Sequence, residues 1–113
     1  MDIKSIEDLR KVVGEMHDSE FTDKDLLYNS AEGTFSLKTY TPDKAKEYLL
    51  DIYNVKKYEP VNLDKINRGQ ATGGIFNDVI IKNNGLDLEI ISQDLKIKLN
   101  VSKLEGSFIQ VTR

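Results

Sequence analysis

Apolar and polar residues change their period along this 113-residue chain. Near the N-terminus the period is helical. Ile6, Leu9, Val13 and Met16 recur so as to form one apolar stripe, which predicts a short amphipathic helix. Ser5 is placed to cap it, with Asp8 three residues on as an imperfect capping box. Glu7 and Asp8 occupy the first turn, where the helix dipole favours negative charge. Gly14 either ends the helix or weakens its last turn. A helix this short needs a sheet to pack on.

From Phe21 the period shortens to two. "FTDKDLLYN" leads through the turn-rich "SAEG" into "TFSLKTY", where Phe35 and Leu37 alternate with Ser36 and Lys38. This pattern predicts a hairpin with one wet face. "TPDKAKEYLLDIYNV" supports two readings. Thr41, Pro42 and Asp43 make a good helix start, and Ala45, Leu49 and Ile52 keep helical spacing. The aromatic and β-branched content from Tyr48 to Val55, with Leu50 and Ile52 alternating against Asp51 and Tyr53, favours a strand there. "VKKYEPVNL" then reads as a turn and a short edge strand, since Pro60 cannot donate to a ladder. "DKINRGQATGG", residues 64 to 74, carries three glycines and little apolar content, and reads as a loop or a partly disordered stretch.

The C-terminal third has the clearest pattern. Asn84-Gly85 is a strong hairpin signal because both residues tolerate positive φ. A two-residue turn there pairs Lys82 with Asp87, Ile81 with Leu88 and Val79 with Ile90. A second turn at Gln93-Asp94 pairs Ile90 with Ile97, Glu89 with Lys98 and Leu88 with Leu99. Both registers put Val79, Ile81, Leu88, Ile90, Ile97 and Leu99 on one face. The other face gains the cross-strand pairs Lys82–Asp87 and Glu89–Lys98. A one-residue slip would bury charge, so the register is well specified. "GSFIQVT" predicts one more strand. The fold class that follows is α+β, with an N-terminal helix packed on a mainly antiparallel sheet or sandwich of about seven strands. The length fits a single domain over residues 1–113, and the connections are too short for the helical crossovers of a parallel sheet.

Composition narrows the chemistry. The chain has no cysteine, which removes disulfides, thiolate nucleophiles and cysteine metal sites. It has one histidine, so any Ser-His-Asp arrangement must use His17, and metal sites needing two or more histidines are excluded. Net charge is −3 and the basic residues are dispersed, which argues against a nucleic-acid surface. No apolar run approaches the roughly 20 residues of a membrane span, and the first residues do not read as a secretory signal. A cytoplasmic, non-membrane protein without cofactor or metal is the expectation.

The candidate functional cluster is His17, Asp18, Ser19 and Glu20. On an extended strand His17 and Ser19 share one face while Asp18 and Glu20 share the other, so only a turn would converge them. These residue types equally suit the junction between a helix C-terminus and a strand, and that reading is favoured. "RGQATGG" lacks the Gly-Lys-Ser/Thr and following helix of a phosphate-binding loop, but Arg68 is a candidate contact for an anionic partner. Tyr53 and Tyr58, around "VKKYEP", are candidate partner-binding residues, because tyrosine offers large contact area with a polar tip.

"MHDSEF", the "LLYNSAEGTFSLKTY" hairpin and "LLDIYNVKKYEP" together resemble a scattered group of small prokaryotic proteins. In that group a His-Asp-Ser/Ala-x-hydrophobic motif opens a β-rich domain. Some of its members are immunity proteins of polymorphic toxin systems, and the resemblance covers about residues 6 to 101. His17, Asp18 and Ser19 match the group's signature. The resemblance implies a non-enzymatic protein that binds and neutralises a protein partner. Two alternatives stand beside this interaction module. One is a small ligand-binding protein or hydrolase using His17. The other is an accessory subunit that self-associates into a homo-oligomer, motivated by Ile80 and Ile91 on the mostly polar sheet face.

Overall fold

The computed structural model describes residues 1–62 and 74–112. The chain enters through β1 (Asp2–Ile3) and α1 (Ile6–Met16), then β2 (Glu20–Phe21), β3 (Leu26–Asn29), β4 (Thr34–Tyr40) and β5 (Lys46–Ile52). It continues through β6 (Val55–Asn62), β7 (Gly74–Lys82), β8 (Asp87–Ser92), β9 (Leu95–Val101) and β10 (Gly106–Thr112). The described residues thus form ten strands, not about seven, and one of them precedes the helix. The unexpected ones are short. β1 and β2 have two residues each, below the length at which alternation can be read.

Ser5 caps α1 as expected, its hydroxyl accepting from the Asp8 N–H at 3.2 Å. The Asp8 carboxylate reaches past Ser5 to accept from the Lys4 N–H at 3.0 Å. Leu9, Val12 and Met16 are buried, with Ile6 and Val13 at the margin, so the apolar face is wider than the predicted stripe. Gly14 stays inside the helix. α1 stops at Met16 because Asp18 turns out of it with φ +69°.

The ambiguous segment resolves as strand. Asp43 accepts from the Thr41 hydroxyl at 2.7 Å and from the Ala45 N–H at 3.0 Å, which diverts the helix-start residues into a turn. Tyr48, Leu50 and Ile52 then alternate inward along β5. The strand does not reach Val55. A turn at Tyr53-Asn54, with Asn54 at φ +57°, separates β5 from β6. β6 is the expected edge strand, but it is eight residues long rather than short. Residues 64–73 of the loop expected at 64 to 74 lie outside the described residues, and Gly74 already belongs to β7.

Every described ladder is antiparallel, in the order β1-β10-β5-β4-β2-β7-β8-β9-β6, with β3 also paired to β4. The six pairs read from the C-terminal sequence all occur: 82 with 87, 81 with 88, 79 with 90, 90 with 97, 89 with 98, and 88 with 99. The first turn takes four residues, 83 to 86, between Lys82 and Asp87, two more than expected. Asn83, Asn84 and Gly85 all adopt positive φ, and the Leu86 N–H donates to the Asn83 carbonyl at 3.1 Å.

The sheet divides into two halves. β1, β10, β5 and β4 form one, and β7, β8, β9 and β6 the other. Among the described residues their ladders meet only through β2, where Glu20 pairs with Tyr40 of β4 and with Ile75 of β7, and Phe21 pairs with Gly74. The sheet curls so that its far end returns. Tyr58 of β6 stacks on Tyr28 of β3 at 4.6 Å between ring centroids and meets Phe35 of β4 at 5.9 Å. The inward faces and the helix share one core, in which Phe35, Phe76, Leu37, Leu50, Leu88 and Ile97 are among the largest fully buried side chains.

Two glycines make opposite demands on this packing. A Cβ at Gly106 would lie 2.2 Å from the Asp51 carbonyl oxygen, so β10 and β5 meet only because that side chain is missing. Gly106→Ala should cost about 3 kcal/mol in urea unfolding. A Cβ at Gly14 meets nothing within 4 Å. Gly14→Ala should instead stabilise by about 1 kcal/mol, because glycine inside a helix carries only its entropic cost.

Candidate functional site

The four residues of "HDSE" lie between α1 and β4, at the seam where the sheet halves meet. Backbone bonds hold them, among them the Ser19 N–H to the Met16 carbonyl at 3.0 Å. The His17 N–H donates to the Val13 carbonyl at 3.0 Å, the Asp18 N–H to the Phe76 carbonyl at 3.0 Å, and the Phe76 N–H to the Ser19 carbonyl at 2.8 Å. Helix, connection and β7 are therefore linked in one backbone network.

The side chains do not converge. His17 and Asp18 project to solvent, with side chains 56% and 74% exposed, and His17 Nδ1 lies 3.2 Å from Asp18 Oδ2. Ser19 turns the other way and is buried. Its hydroxyl donates to the Met16 carbonyl and is also hydrogen-bonded to Oγ1 of Thr39, at 2.8 Å, on the buried face of β4. One hydroxyl carries one proton, so the Thr39 hydroxyl supplies the other. Ser19 thus joins the end of α1 to the middle of the sheet and faces away from the imidazole. Glu20 lies 3.8 Å from Lys44, whose ammonium sits 5.1 Å from the centre of the Tyr40 ring. These residues line an open depression of about 400 Å³ that also touches Phe21 and Ile75. His17 does not line it.

The two tyrosines serve different elements. The Tyr53 hydroxyl donates to Ser107 Oγ at 3.2 Å, beside the turn that leads into β6. Next to it, Asn54 Nδ2 donates to Glu105 Oε1 at 3.0 Å, and the Tyr53 N–H donates to the Glu105 carbonyl at 2.8 Å. Tyr58 points inward, half-buried against Tyr28 and Phe35, and burial pushes its hydroxyl pKa above the usual value. Arg68 lies outside the described residues. Among the described residues no group of three or more His, Asp or Glu side chains is placed to hold a metal ion, and no helix is long and apolar enough to cross a membrane.

A second feature was only partly visible beforehand. The registers lay out a grid on the outer face of the β7-β8-β9-β6 half. Its first row is Lys82, Asp87, Asn100 and Lys57. The second is Ile80, Glu89, Lys98 and Glu59, and the third Asp78, Ile91, Lys96 and Val61. Glu89 faces Lys98 and Lys82 faces Asp87 in register as expected, but the ion pairs do not follow those rows. Glu89 instead bridges two diagonal neighbours, Lys82 at 3.2 Å and Lys96 at 3.1 Å, and its side chain is only 13% exposed. Asp87 accepts from Asn100 Nδ2 at 2.7 Å. The twist of adjacent strands brings diagonal positions within reach of long side chains, which a flat ladder does not show. The grid is shallow, with a depression of about 350 Å³ over its first two rows.

No protein-family model matches the chain, and no curated protein or solved structure matches it either.

Two outcomes follow from these contacts. Ser19→Ala strands the buried Thr39 hydroxyl at the seam, while the Met16 carbonyl keeps the Ser19 N–H, and should cost about 2 kcal/mol in chemical unfolding. Hydrogen bonds from Lys96 and then Lys82 hold the Glu89 carboxyl below its ordinary pKa of 4.5. Its contribution to stability is therefore present above pH 4.5 and is lost as the pH falls through the lower folded value. Glu89→Gln should lower the thermal midpoint at neutral pH, and the wild-type and variant midpoints should converge in acid.

Proposed function

We propose that this protein is a non-catalytic protein-binding module whose contact surface is the outer face of β7, β8, β9 and β6. The supporting observation is the grid, where a rigid antiparallel register fixes charges of both signs around apolar positions. Ile80 is 41% exposed there, and Ile91 and Val61 are half-buried. Ordered charges around an apolar patch suit recognition of a protein surface, since they steer encounter and fix orientation before the apolar centre is covered. The net charge of −3 favours a basic partner. In the class that the "MHDSEF" signature suggests, the partner is a toxin and the module neutralises it by covering its working surface. The seam geometry supports this reading over a hydrolase using His17, because Ser19 is committed to Met16 and Thr39 while His17 faces solvent.

The test is affinity capture from the native host with three forms of the protein. Wild type should retain a specific partner. Ile80→Asp, at the most exposed of the apolar positions, should weaken retention at least about 30-fold, the scale of an interface hot spot. Val111→Asp, at an exposed position on the other half, should retain the partner as wild type does. Equal retention by all three forms would remove the surface assignment. Concentration-dependent sedimentation of the pure protein, abolished by Ile80→Asp, would favour the self-associating subunit instead.

A further inference from the structure

A second recognition site lies on the opposite half, between α1 and the open edge of β10. β1 covers only the beginning of that edge. Asp2 pairs with Ser107, the Phe108 N–H donates to the Met1 carbonyl at 2.9 Å, and the Met1 nitrogen donates to the Phe108 carbonyl at 3.0 Å. Outward-pointing backbone groups alternate along an antiparallel strand. Phe108 points its N–H and carbonyl towards β1, so Gln110 and Thr112 point theirs the same way, where no described strand continues. Both are exposed.

Beside this edge runs a groove of about 620 Å³. Met1, 55% exposed, and the edge of Phe108 give it apolar surface, and α1, with Val12 fully buried beneath, forms the far wall. Gly14 lies in that wall with open space where a side chain would project. No internal contact requires glycine there, and its absent side chain keeps the groove open. Arg10 and Lys11 line the same wall against the single carboxylate of Glu15. Neither cation forms an ion pair among the described residues.

We infer that this groove binds an extended acidic peptide segment, which adds as a strand antiparallel to β10 beyond the point where β1 ends. The open N–H and carbonyl groups of Gln110 and Thr112 supply the main-chain bonds. Alternate apolar side chains of the peptide rest on Met1 and Phe108, and its carboxylates lie towards Arg10 and Lys11. Strand addition of this kind takes affinity from the backbone and specificity from the alternate side chains. The site shares no residue with the grid, so it stands or falls independently of the function proposed above.

The probe is acetyl-Glu-Val-Glu-Val-amide, titrated into the 15N-labelled full chain and followed by NMR. The expected result is saturable binding at about 1 mM or tighter, with the Gln110 and Thr112 amides shifted and their hydrogen exchange slowed, and with further shifts over residues 10–15. The lysine counterpart, acetyl-Lys-Val-Lys-Val-amide, should bind at least tenfold more weakly. Gly14→Leu fills the groove at a position with free space and should abolish binding. Gln110→Pro removes an edge N–H without touching the β5 ladder, because that N–H points away from β5, and should do the same. Absence of saturable shifts, equal binding of both peptides, or unchanged binding by a folded Gly14→Leu protein would each overturn the proposal. So would a dimer of the free protein that Gln110→Pro dissociates, because the edge would then belong to a second copy of this chain.

Discussion

Continuity of the sheet rests on two residues. Among the described residues β2 is the only strand that pairs with both halves, through Glu20 and Phe21. Two residues of ladder cannot hold such a junction by backbone bonds alone. The buried hydroxyl pair of Ser19 and Thr39 and the exchange of bonds between the connection and Phe76 extend the seam on either side. Phe21, itself buried, anchors it from below. The core can be shared by both halves because this short strand is fixed in place from three directions.

That dependence gives "HDSE" its physical meaning. Asp18 takes the positive φ that ends the helix, a conformation acidic and amide side chains tolerate better than most. Ser19 is small enough to be buried and polar enough to link a helix carbonyl to a strand hydroxyl. His17, Asp18 and Glu20 keep exposed surface, the first two beside each other and Glu20 beside Lys44. A cluster of reactive residue types can thus arise from the requirements of a junction, each residue answering a separate local demand.

The sequence was informative where its constraints were local. The β7–β9 registers were readable because each strand is long enough to alternate, the turns are signalled, and a slip would bury charge. The helix cap was readable because it involves neighbours only. β1 and β2 were not, since a two-residue strand exists only by virtue of partners far along the chain. The division between β5 and β6 was placed a few residues too late because Tyr53 and Val55 are good strand residues, and it is Asn54, bonded to distant Glu105, that sets the corner. The groove beside β10 left no signal beyond a helical glycine, whose meaning depends on what lies opposite. The Glu89 bridge was legible as a charge pattern but not as a geometry, because diagonal reach depends on twist.

The pairing of β1 with β10 also bears on how the molecule assembles. β7, β8 and β9 form a meander whose partners lie a few residues apart, and its hairpins can close at low entropic cost. Asp2 must instead find Ser107, near the other end of the chain. Contacts that close such long loops are the slow ones. The meander can therefore close early, as can the β3-β4-β5 pairing, whereas β1 and β10 join the sheet only after the long loop has closed. During that interval the inner face of the meander is uncovered, so the interval before the seam closes is when this chain is most exposed to aggregation.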